Sequence, residues 1–298
     1  MSDHIKAVII VVLSGLIWSF GAPVVKHMID PQIYQLPYLI IRGITVAMII
    51  ATYLIINEQK EFFRNVVRID KVSIIGGLSL TTAMVGFIYS ISNTTAAVTL
   101  FMLALMPFLA SLIALMFINE KISKQNFISM TIAFIGAVIM IYASAFNGSL
   151  FGLIMGFISS FGFAAFTVTL RSKNNFKKFY ILIYAGIFCA IISSFLMIFN
   201  NQEIYLPSRN IFLSITHGFF VASGLILYSI GSKKLLSGEL TMLSLLEVVG
   251  GIFWTWLPIL GINEIPDINT ILGGIVICFA IGINSYRFDK KRLQNLIR

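Results

Sequence analysis

Charge is what this sequence lacks. Only 11% of its 298 residues are Asp, Glu, Lys or Arg, 58% are apolar, and mean hydropathy is +0.94. Soluble domains carry about 25% charged residues, so an ordinary soluble domain is excluded. Histidine is scarce too. His4, His27 and His217 stand far apart, leaving neither an HExxH zinc site nor a histidine-rich oxidase cluster, and His217 reads as a hydrogen-bonded packing residue. Two cysteines, Cys189 and Cys278, sit in apolar runs and build no disulfide framework or metal cluster; both read as packing residues. There is no Walker A loop and no soluble stretch large enough to bind ATP. No cofactor is expected.

What is abundant is long apolar sequence. A transmembrane helix needs about 20 such residues, and ten runs qualify: 5–27, 34–56, 72–92, 94–118, 127–144, 150–170, 180–199, 211–231, 239–260 and 268–286. They are numbered here as segments 1 to 10. The expected fold is an all-α polytopic membrane protein. Segment 1 is too long for a leader and runs straight on into further spans, so it reads as a retained helix. Of the 21 Lys and Arg, all but Lys26, Arg209 and the intramembrane Arg42 fall on the side shared by both termini. That asymmetry places both termini in the cytoplasm of a cell (inner or plasma) membrane protein and requires an even number of spans. It also explains the net charge of +9 without a nucleic-acid partner. The expected partners are a small-molecule substrate and membrane lipid.

The chain repeats itself. Ser19-Phe20-Gly21 returns as Ser160-Phe161-Gly162, an offset of 141. Tyr89-Ser90-Ile91 returns as Tyr228-Ser229-Ile230 at 139, and Asn119-Glu120 as Asn263-Glu264 at 144. Three matches in one order at nearly constant spacing indicate a duplication, with repeats at 1–146 and 147–298. Five spans per repeat is odd, so the second copy is inverted, an arrangement suited to alternating access.

Several motifs carry a family resemblance. They are IWSFGAPVVK in segment 1, Arg42 in segment 2, TTAAVTLFMLALMPFLASLIALMFINEKIS in segment 4, and LLEVVGGIFWTWLPILGINEIP in segment 9. Over nearly its whole length the chain resembles an EamA-type member of the drug/metabolite transporter superfamily. It departs from the pattern at Val248, where many relatives have Pro, and in pairing Trp18 with Ser159 across the repeat. The resemblance implies a secondary transporter of amino acids, nucleoside-like metabolites or drugs. It also implies a central cavity lined by segments 1, 3, 4, 6, 8 and 9, with 5 and 10 behind. An enzyme or lipid-handling protein of the same layout would need convergent catalytic groups at one depth, and none is found.

Charge deep in a span costs about 2.5–3.5 kcal/mol and marks function. Arg42 and Glu247 are the two such residues. For Glu247 three readings stay open: it carries protons, it binds a substrate ammonium, or it neutralises Arg42 in a structural pair. Arg42 either captures a substrate carboxylate or bonds to helix carbonyls. Trp18, Tyr89, Phe101, Phe161, Tyr228, Trp254 and Trp256 can stack on a solute; Ser19 and Ser160 offer hydroxyls beside them. Gly152/Gly156, Ala110/Ala114, Ala133/Ala137 and Gly218/Ala222 are small-residue pairs for helix packing. Gly21, Pro23, Pro107 and Gly162 are hinge candidates. Glu120 and Glu264, ending segments 4 and 9, are gate candidates.

Overall fold

The computed structural model describes residues 3–68, 70–141, 149–172, 177–262 and 264–296. The expected repeat boundary at 146/147 lies outside them, as do Lys173, Asn263 and Arg298. Every regular element among the described residues is helical. Segments 2, 3, 6, 7 and 8 are the unbroken helices α3 (Gln35–Glu58), α5 (Lys71–Asn93), α9 (Leu150–Ser172), α10 (Lys177–Phe199) and α11 (Ser208–Gly231). A short helix, α4 (Lys60–Val66), joins α3 to α5. Segments 5 and 10 are α8 (Lys124–Ile141) and α14 (Ile268–Leu296).

Segments 1, 4 and 9 are broken, giving α1 (Asp3–Trp18) and α2 (Gly21–Lys26), α6 (Ala96–Leu103) and α7 (Met106–Ile118), and α12 (Ser237–Ser244) and α13 (Leu246–Trp256). Proline explains two breaks. Pro23 and Pro107 have no N–H to return to the carbonyls of Ser19 and Leu103, and their rings crowd those carbonyls. The joints fall back on tighter bonds, Phe20 N to Ile17 O at 3.3 Å and Leu105 N to Met102 O at 3.1 Å. Segment 9 makes the same joint without proline, through Leu245 N to Met242 O at 3.2 Å and Val248 N to Leu245 O at 3.0 Å. The broken pairs keep the register of the sequence repeat: α6 and α12 begin and end 141 residues apart.

The helices pack in matched pairs. α3 lies on α10 and α8 on α14; α5 lies on α9 as α1 lies on α11; α5 lies on α10 as α3 lies on α11. In a membrane, helices gain by close approach of backbones, and two crossings are made by facing glycines. A Cβ on Gly43 would sit 2.6 Å from Gly186 O, and one on Gly186 would sit 2.6 Å from Gly43 O. Gly136 and Gly273 repeat this where α8 meets α14, at 2.8 and 2.3 Å.

Contacts sort the loops to two ends. At the lysine-rich end Asp3 pairs with Lys234, His4 lies 3.2 Å from Glu239, and the Tyr180 hydroxyl donates to Glu58. At the other end Lys26 pairs with Glu264 and Asn210 bonds both N–H and carbonyl of Ile29. Among the described residues eight helical spans are long and apolar enough to cross a membrane, with the broken segments 1 and 4 each taken whole; Lys124–Met140 is apolar but shorter, and the segment containing α12 and α13 is divided at Leu245.

Candidate functional site

Halfway along the bundle the helices leave a cavity of about 80 Å³, room for roughly five to eight waters or a solute of similar heavy-atom count. Its walls come from segments 1, 2, 3, 4, 6, 8 and 9: Trp18, Arg42, Leu80, Ala83, Met84, Phe87, Leu103, Met106, Ser159, Phe163, His217, Val221, Leu225 and Glu247. Most of the wall is apolar. Polarity is confined to three ionisable side chains, an indole N–H and Ser159.

Arg42 is 1% exposed. Its Nη2 donates to Met84 O at 2.8 Å across the α3–α5 contact, its side chain lies against the Cys189 thiol, and its Nε–H has no partner. Glu247 stands in the first turn of α13, where the aligned peptide dipoles favour negative charge. It is partly exposed, to the cavity. Arg42 and Glu247 share the cavity walls, yet no ion pair joins them among the described residues. Of the three readings of Glu247, the direct structural pair is therefore not what this geometry contains.

His217 lies on α11, which packs against the α3 that carries Arg42. Its Nδ1 is 2.9 Å from the Tyr38 hydroxyl, and its Nε2 points at Gly21, where a Cβ would lie 3.0 Å away. Gly21 thus makes room for an imidazole as well as opening α2. Trp18 donates from Nε1 to Val221 O at 3.3 Å and packs edge-on against Phe163, with centroids 5.5 Å apart; its indole fills the space left by Gly224.

The other residues singled out in the sequence lie around this cavity without lining it. Ser19 sits at the α1–α2 joint, donating to Leu16 O at 2.6 Å and accepting from Trp254 Nε1 at 2.8 Å. Ser160 donates to Met102 O at 2.5 Å. Each thus ties the first helix of one repeat to the broken helix of the other. Tyr228 stands behind Trp18, its hydroxyl 2.8 Å from Thr167. Trp254 stacks on Phe20 at 4.5 Å. Tyr89 meets Phe151, Phe101 meets Phe134, and Phe161 and Trp256 are nearly half exposed on the outer surface. Gly162 is a packing position, since a Cβ there would meet Ser79 O and Ala83 N at 2.7 Å. Pro107 opens α7 and Pro23 lies within α2.

Glu120 and Glu264 hold the two ends. Glu120 accepts from Arg171 Nε at 2.7 Å and from Ser237 N at 2.9 Å, while Arg171 Nη1 donates to Ser232 O at 2.8 Å. Glu264 pairs with Lys26 at 2.8 Å. Each ion pair joins the end of a fourth segment in one repeat to the end of the first segment in the other.

Phe163 and His217 line the cavity although the sequence did not single them out for it. Helical arithmetic contains the signal: Phe163 follows Ser159 by four residues, and His217, Val221 and Leu225 form an i, i+4, i+8 row on one face of α11.

A solved crystal structure shares the fold, with a TM-score of 0.73 at 15% identity, covering 97% of this chain and 98% of the other. No curated protein matches the sequence. Over residues 5–142 the chain matches the EamA-like transporter family.

Proposed function

We propose that the protein is a secondary carrier for a small zwitterionic metabolite, such as an amino acid, that moves it by alternating access through the central cavity. The observation that carries this reading is a guanidinium and a carboxylate on the walls of one small, mostly apolar cavity, neither of them in an ion pair among the described residues. Isolated charges at such depth are costly, and a solute bearing one carboxylate and one ammonium satisfies both together. A volume of about 80 Å³ suits a small solute of about five to eight heavy atoms. Trp18 and Phe163 supply the apolar wall for its side chain.

The same geometry supports a coupling of solute to protons. An unpaired carboxylate at mid-depth is satisfied by a proton or by the ammonium of a solute; exchange of one for the other at Glu247 couples the two fluxes. Ten crossings in two inverted five-helix repeats, with both termini cytoplasmic in the cell membrane, complete the reading. Its support is the matched packing pairs, the reciprocal glycine crossings, the common 141-residue register of the broken helices and the clustering of Lys and Arg at one end. Two such halves can exchange packings at similar energy, with Glu120–Arg171 and Lys26–Glu264 as alternate latches.

A thermal-shift screen of the purified protein against amino acids, nucleosides and polyamines tests the substrate class. Stabilisation by small neutral amino acids is expected; stabilisation by polyamines or nucleosides alone would overturn the zwitterion reading.

A further inference from the structure

The cavity carries one more polar group whose hydrogen-bonding sense the structure fixes. Tyr38 is 0% exposed, and among the described residues its hydroxyl has one hydrogen-bond partner, His217 Nδ1 at 2.9 Å. A buried phenol hydrogen without an acceptor costs about 1–3 kcal/mol. The O–H therefore donates to Nδ1. A neutral imidazole that accepts at Nδ1 must carry its hydrogen on Nε2. Among the described residues Nε2 has no hydrogen-bond partner, and it is absent from the sealed, unsatisfied atoms of the core, so it keeps some exposure on a side chain that lines the cavity. Tyr38 and Arg42 stand four residues apart on α3, on one face of that helix, so the phenol that orients His217 lies behind the same stretch of wall that carries the guanidinium.

We propose that His217, oriented by Tyr38, is a specificity-determining residue: its Nε2–H and the Arg42 guanidinium together form the carboxylate subsite of the carrier, with Glu247 on α13 as the ammonium subsite. Tyr38 is a positioning residue that acts through the imidazole. Gly21 belongs to the same device, because any side chain there would press on Nε2. A phosphate dianion does not fit, since Glu247 faces the same small volume and opposes a second negative charge. The ligand class is a compact α-amino acid, and the inference rests on the carrier reading above.

The test uses the full-length protein in proteoliposomes and measures competition by L-alanine, L-serine and L-threonine and by their carboxamides, which keep size and ammonium but lose the carboxylate. The wild type is expected to prefer the acids at least tenfold. Tyr38→Phe keeps the ring and frees the imidazole to place its hydrogen on Nδ1; the preference should fall about tenfold with the affinity for the carboxamides retained. His217→Leu should do the same. A wild type without preference for the acids defeats the carrier reading, whereas a preference that survives Tyr38→Phe and His217→Leu defeats the subsite. Should the variants fail to fold, ¹⁵N-histidine spectra of the wild type decide: the Nε2–H tautomer at His217 is expected, and the Nδ1–H tautomer overturns the proposal.

Discussion

Glu120→Gln should tip the carrier toward opening at its lysine-rich end. Glu120 and Arg171 are 14% and 18% exposed, and the carboxylate is used twice, by Arg171 and by Ser237 N. The amide loses the charge on both bonds, and one of its two ends presents N–H to a donor. Hydrogen bonds to charged groups contribute about 1.5–3 kcal/mol, and breaking a buried pair costs more; with residual solvent access, about 2 kcal/mol is a fair figure, or about 30-fold in the closed-to-open ratio. Lys26–Glu264 is a single contact at 22% and 42% exposure. Such pairs contribute about 0–1 kcal/mol, so Glu264→Gln should shift its own end less than about fivefold. The assay replaces Cys189 and Cys278 by alanine, places a cysteine at Leu225 on the cavity wall facing the lysine-rich end, and measures its labelling from that side by an impermeant maleimide. Glu120→Gln should raise the rate about ten- to 30-fold. An unchanged rate, or an equal effect of Glu264→Gln at the same end, would refute the latch reasoning.

Three further outcomes are expected. Glu247→Gln removes the charge that meets the solute ammonium and the proton it exchanges for, and should weaken exchange and flatten its pH dependence, measured as counterflow between pH 5 and 8; unchanged transport and pH profile would remove the residue from binding and coupling. Gly43→Ala must push Gly186 O away from 2.6 Å and should cost about 1–3 kcal/mol, seen as a lower Tm in detergent, whereas Gly261→Ala should change Tm less because a Cβ there meets nothing within 4 Å and only its positive φ is strained. Trp18→Ala removes one wall of the cavity and should weaken solute binding at least tenfold in a titration, with the fold intact by circular dichroism.

Much of the fold was legible because the lipid restricts the options. Apolar runs gave helices, Lys and Arg gave their ends, and Pro23 and Pro107 marked two of three breaks. The break at Leu245 was not legible, since Val248 replaces the proline and the tight joint depends on packing around it. The site was partly legible. Arg42 and Glu247 announced themselves as buried charges, but whether they pair is decided by the rotation of α3 and α13, which no local pattern encodes. One residue of rotation also separates Ser160, chosen by the repeat, from Ser159, which reaches the cavity; 100° about α9 turns the former to the Met102 carbonyl. Tyr228 marked the right face of α11, but Trp18 packs against it on the cavity side, and His217 three turns away lines the cavity instead.

The carrier reading meets its most direct test in counterflow. Proteoliposomes loaded with an unlabelled small amino acid and diluted into the same compound with a radiolabel should accumulate label transiently and return it chemically unchanged, and Arg42→Gln should abolish the accumulation. Absence of exchange across the small zwitterions, or recovery of the label in a different molecule, would contradict the account.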